Sequence, residues 1–119
     1  MPRFVLHEHQ VPRHHFDLRL EHDRGQGEGP VLVSWAVPKG VPEAEGVNRL
    51  AVAVPDHDLD HIDFTDTQKS IAAAGHYTAH EFTDAKVVVT FTGDRLNGPY
   101  ALIHTRDANW LLRRIRPRA

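Results

Sequence analysis

Residues 15 to 21 read His-Phe-Asp-Leu-Arg-Leu-Glu, ionisable and apolar side chains in strict alternation. Successive side chains of a β-strand point to opposite faces, so this run makes a strand with one polar side and one apolar side. A helix would scatter its three apolar residues around the axis. Much of the chain fits the same reading. Arg3–Glu8, Val31–Val37, Leu50–Val54, His76–Phe82, Lys86–Thr92, Tyr100–His104 and Trp110–Ile115 are rich in β-branched and aromatic residues. Turn signals separate them. The glycine-rich Arg24–Pro30 and the proline- and glycine-broken Pro38–Gly46 predict loops. Leu96-Asn97-Gly98-Pro99 carries an Asn-Gly hairpin signal. Only Thr67–Ala74, with three consecutive alanines, predicts a helix. About eight short strands and one or two short helices imply a mainly β fold, a compact antiparallel barrel or a sandwich.

A length of 119 residues predicts one domain, spanning 1–119. The absence of cysteine excludes a disulfide scaffold, thiolate metal ligands and a cysteine nucleophile. No apolar run approaches a membrane span of about 20 residues. Met1–Gln10 has no apolar secretory core, so the expected location is cytoplasmic. A net charge of −2 argues against coating nucleic acid by bulk charge. Charge is concentrated locally, with Asp56, Asp58, Asp60, Asp63 and Asp66 in one stretch and Arg113, Arg114, Arg116 and Arg118 at the end. The basic end suits either a solvated tail or phosphate contacts.

Ten histidines are the informative excess, five of them between His7 and His22. Histidine titrates near neutrality and is the commonest metal ligand. On a strand, His15, Asp17, Arg19 and Glu21 form one row. His15 and Asp17 are then roughly 7 Å apart at the backbone, close enough for both side chains to reach one cation. A neighbouring strand end bearing His9 supplies a third ligand. Two imidazoles and a carboxylate suit manganese, iron(II) or zinc with positions left for substrate. Arg19 then sits beside the metal, where an anionic oxygen belongs. The same row also suits a strand whose polar face meets only water. The pattern leaves both readings open.

The string from His9 to Glu21, HQVPRHHFDLRLE, resembles the H-x5-H-[YF]-D-[FL]-R-L-E signature of the 3′-phosphoesterase family, best known as a module of bacterial DNA ligase D. Ser34–Gly40 is similar to its S-W-A-V-P-K-G block. Arg49–Val52 is similar to R-L-A-V. Asp56-His57, Leu59-Asp60 and Asp63-Phe64 follow its E-D-H-P-L-D-Y-x-D-F block. The resemblance implies a compact β-barrel that trims DNA 3′ ends with manganese, or with zinc or another divalent ion. It implies removal of a 3′-ribonucleoside and of the 3′-phosphate this leaves, giving a clean hydroxyl for end joining. By position it assigns His9, His15 and Asp17 to the metal. It assigns Arg19, Lys39, Arg49 and His57 to the scissile phosphate. The implied partners are DNA 3′ ends, with separate ligase and polymerase proteins acting beside this chain.

Three positions depart from the family pattern. His61 stands in place of a tyrosine, Pro55 in place of an acidic residue and Asp58 in place of a proline. At the tyrosine's position, His61 is expected to hold phosphate best when protonated, on the acidic side of neutrality. The glycine-rich region after Phe64 is reduced to traces at Ile71, Gly75 and Tyr77. These changes suit a second reading, a degenerate module that binds DNA ends or a repair partner without turnover. A third is an iron(II) oxygenase built on His15, Asp17, His104 and Arg114. Trp35 and Trp110 are expected in the core. His7, His14, His22, His76 and His104 are expected at surface or structural positions.

Overall fold

A computed structural model describes residues 1–117 as eight strands closed into a barrel. They are β1 (Arg3–His9), β2 (His15–Asp23), β3 (Pro30–Val37), β4 (Asn48–His57), β5 (Lys69–Phe82), β6 (Lys86–Asp94), β7 (Asn97–Arg106) and β8 (Asn109–Arg114). Around the wall the order is β1-β2-β3-β4-β8-β7-β6-β5, antiparallel throughout. Arg118 lies outside the described residues. No helix among the described residues is long and apolar enough to cross a membrane.

The alternation in β2 serves both faces of this wall. Leu18 and Leu20 enter the lumen with Phe4, Leu6, Trp35, Tyr77, Phe91, Tyr100, Leu102, Trp110 and Leu112. Each large apolar side chain buried there contributes roughly 1.5–3 kcal/mol. Trp35 and Trp110 meet edge to face at 5.5 Å, as expected of core residues. Asp17 and Arg19 point to the outer face, yet both are buried. The topology explains why. β4 and β5 are not neighbours, so their connection crosses the outside of β3, β2 and β1. A 3₁₀ turn, Leu59–Asp63, packs there against β3 and β1.

Two expectations are corrected. Thr67–Ala74 is not a helix; β5 begins at Lys69 and runs through the alanines. Pairing with β1 on one side and β6 on the other overrides alanine's helix preference. Small residues also permit close approach here: a Cβ on Gly93 would lie 2.4 Å from the Ala74 carbonyl oxygen and 2.8 Å from the Phe4 ring. The Asn97-Gly98 pair opens β7 and does not form the turn. Arg95, at φ 67°, turns the chain instead. The Asn97 amide closes the hairpin by bonding both the Gly93 N–H and the Gly93 carbonyl.

Two β-bulges set which residues face outward. Leu6 pairs with Ala73, but His7 pairs with Ile71, so Ala72 is an extra residue in β5. Ala73 therefore faces the lumen while Lys69 joins His7 and His9 outside. Ser34 pairs with Val54, but Leu32 pairs with His57, so β4 carries an extra residue near Pro55. That flip puts His57 on the outer face, although Ala51 and Ala53 of the same parity point inward. A bulge is also where a strand tolerates proline, which has no N–H to give to the ladder.

Candidate metal and phosphate site

His9 and His15 are directly opposite each other on β1 and β2, and His7 is opposite Asp17. One ligand atom from each of His9, His15 and Asp17 falls within 4.8 Å of the others. The hairpin places the sequence-derived trio together. The Asp17 carboxylate is buried, with one oxygen 3.4 Å from His15 Nε2 and 3.8 Å from His9 Nδ1.

The proton positions favour a cation here. His15 Nδ1 is 2.7 Å from the Arg13 carbonyl, which can only accept, so Nδ1 carries a proton. In the neutral ring Nε2 then presents a lone pair to the Asp17 oxygen. Burial, and then the charge of Lys69, push His9 below its ordinary value, so it is a neutral donor near pH 7. Three lone-pair donors turned on one small volume fit a divalent ion with nitrogen and oxygen preferences.

Beside this trio Arg19 is held on three sides. Its Nε donates to His7 Nδ1 at 3.1 Å and one terminal nitrogen donates to Ser34 Oγ at 3.0 Å. The other terminal nitrogen lies 3.4 Å from the Asp17 carboxylate. Two of its five N–H bonds are engaged in hydrogen bonds, and the terminal nitrogen facing Asp17 is held by charge.

His7 supports this guanidinium from β1. It is fully buried, and it must be neutral to accept from Arg19. Burial, followed by repulsion from Arg19 and Lys69, lowers its pKa to about 4. In the unfolded chain it titrates near 6.5, so the unfolded state takes up the proton first. The stability His7 contributes is complete above pH 6.5 and is lost as pH falls toward 4. Between pH 7 and pH 5 this loss is about 2 kcal/mol. His7→Asn keeps an acceptor for Arg19 and cannot titrate. Denaturant melts at the two pH values should show a loss about 2 kcal/mol smaller in the variant. Equal losses would remove His7 from the account.

The crossing connection supplies the remaining groups. The rings of His57 and His61 stack at 4.5 Å, and His61 stacks on Phe64 at 4.9 Å. Burial and the charges of Arg19 and Lys69 lower His57, so it is neutral at pH 7. Lys69 was invisible in the sequence reading. Its Nζ donates to His61 Nε2 at 3.2 Å and lies 5.5 Å from the centre of the Phe64 ring. No signal in the β5 sequence announces it, because the bulge at Ala72 breaks the alternation before Lys69 is reached.

Lys39 and Arg49 lie at the barrel end shared by His9 and His15, as the pairing of Phe16 with Val37 requires. Neither makes an ion pair or hydrogen bond with the trio among the described residues. Arg49 instead donates to the carbonyls of Lys39 and Gly40 and braces that turn. Of the other histidines, His14 bonds Glu8, His22 stacks on Phe82 and His104 stacks on Trp110. His76 is exposed.

Multifunctional non-homologous end joining proteins LigD are similar to this chain. The protein of Mycobacterium bovis is 38% identical over 126 residues, covering 95% of this chain and 16% of its own length. That of Mycolicibacterium smegmatis is 35% identical over 134 residues, 96% of this chain and 17% of its own. That of Pseudomonas aeruginosa is 43% identical over 132 residues, 92% of this chain and 14% of its own. The chain thus spans about one sixth of the relatives it matches. Residues 7–104, which hold the whole constellation from His7 to Lys69, match the DNA Ligase D 3′-phosphoesterase domain, and the chain belongs to that family.

Proposed function

We propose that this chain is a divalent-metal-dependent phosphoesterase acting on DNA 3′ ends, removing a terminal 3′-phosphate to leave a hydroxyl. The observation that supports this most is the meeting of His9, His15 and Asp17 beside a fixed, buried Arg19. Manganese, zinc or iron(II) suits the donor set, and such an ion supplies Lewis acidity at a phosphoryl oxygen.

The protein's own groups carry the rest. Arg19 neutralises charge that develops on phosphoryl oxygens in the transition state. His57 is neutral at pH 7, so it offers one N–H to the phosphate and one lone pair to a proton of the attacking water. Water adds to phosphorus, the P–O3′ bond breaks, and a proton passes to the leaving 3′ oxygen. Lys39 and Arg49 keep phosphate roles by their place in the matched motifs, with Arg49 acting on the shape of the Lys39 turn.

The expectation for His61 is revised. Its Nε2 accepts from the Lys69 ammonium, which a protonated ring cannot do. Burial, then Lys69 and Arg19, hold it below its ordinary value, so it is neutral at pH 7 and above. The positive charge at this place is Lys69. At saturating manganese, His61→Tyr should leave the shape of the pH–rate profile above pH 7 unchanged. A shift of the alkaline limb by half a unit or more would restore a titrating His61.

The direct test uses a duplex bearing a recessed 3′-phosphate or a single 3′-ribonucleotide, with manganese, zinc, iron(II) or chelator. Conversion that requires metal supports the proposal. Conversion of the phosphate alone restricts it to phosphatase chemistry. Binding without conversion under every metal supports the end-binding module instead.

A further inference from the structure

On the outer wall around Asp17, two buried cations, Arg19 and Lys69, stand against one buried carboxylate. Arg19 is already shared by His7, Ser34 and Asp17. Lys69, directly opposite His9 on β5, adds an ammonium to the same patch. The lysine is 9% exposed, and no carboxylate among the described residues lies within 4.0 Å of its Nζ. Among the described residues the one hydrogen-bond partner of its ammonium is the neutral His61, which takes one of three N–H bonds. A buried cation is costly unless an anion meets it, and two buried cations close together cost more. Asp17 and Asp66 act on Lys69 from a distance, but Asp17 is turned toward His9, His15 and Arg19. The bulge at Ala72 is what turns Lys69 to this face instead of into the apolar lumen.

We propose that Lys69 is a further catalytic residue, contacting the terminal phosphate directly and favouring a dianionic phosphomonoester over a monoanionic diester. This rests on the phosphoesterase reading above. Two free N–H bonds and a whole positive charge meet the second negative charge, which a diester lacks. Phe64 packs against the same ammonium and His61 fixes its direction, so little freedom is lost on contact.

The test compares the parent with Lys69→Met, which keeps length and apolar stem, and Lys69→Arg, which keeps the charge. Calorimetry with inorganic phosphate reads binding without turnover. Steady-state rates on a 3′-phosphate end and on a 3′-ribonucleoside diester read the preference. Lys69→Met should weaken phosphate binding and raise KM on the monoester by about tenfold to a hundredfold. The diester should be affected at least fivefold less. Lys69→Arg should recover most of the loss, and manganese affinity should stay equal or tighten, since a repelling charge has gone. Phosphate binding within twofold of the parent in Lys69→Met overturns the assignment. So does an equal loss on both substrates that Lys69→Arg does not recover, which marks a structural role. If the parent hydrolyses neither end yet binds phosphate through Lys69, the hydrolase reading fails and the Lys69 contact stands. If the parent hydrolyses normally and Lys69→Met does too, only the Lys69 contact fails.

Discussion

Asp17→Ala should weaken manganese binding by at least tenfold and reduce phosphatase activity to background. The variant loses the only carboxylate of the trio and leaves two neutral imidazoles, which hold a hard divalent ion poorly. It also strips Arg19 of its ion-pair partner. Folding should suffer too, by about 3 kcal/mol, because breaking a buried pair leaves an uncompensated charge. Asp17→Asn separates the two effects. It retains shape and a hydrogen-bond acceptor for Arg19 but gives the ion a neutral ligand. Titration calorimetry on folded Asp17→Asn should still show the affinity loss. Parent-like manganese affinity in that variant would end the assignment of the trio.

Arg19→Lys should lower kcat/KM by two or more orders of magnitude while leaving manganese affinity within about threefold. Lysine keeps the charge but has no planar fork, so it cannot serve His7, Ser34 and Asp17 together. The phosphate then meets a wandering ammonium in place of fixed donors. Loss of one preorganised transition-state donor typically costs 10²–10³ in rate, on the order of 3–4 kcal/mol. Arg19→Ala is the harsher and less informative change, since it also empties a buried space. Full activity in Arg19→Lys would mean that charge alone matters at this position.

The parts of this site that could be read from the sequence are those on one unbroken strand and its hairpin partner. In β2 the spacing of two holds from His15 to Glu21, so face, neighbours and chemistry follow from the residue order alone. His9 follows because a short turn must return it to His15. His57 and Lys69 lie beyond bulges, where one extra residue reverses which side is out. Strict alternation carried back from Ala73 and on from Ala53 would place both in the lumen, where neither belongs. His57 was recoverable only from the resemblance of its surrounding motif, and Lys69 had no such support. His7 was legible as a strand residue of the right parity. Its burial depended on the crossing connection, which no local pattern specifies. The alanines before Gly75 misled for a related reason. Pairing with β1 and β6, contacts distant in sequence, overrides their helix preference.

The candidate site is on the outer wall of a barrel whose lumen is filled by Trp35, Tyr77, Tyr100 and Phe91. A barrel that receives its ligand inside must match the ligand's whole size to its bore. Here only the reacting end has to fit between the strands and the crossing connection, and the remainder stays in bulk solvent. Molecular length is therefore not selected against. A long polymer presented end-on meets the same steric boundary as a fragment of a few units.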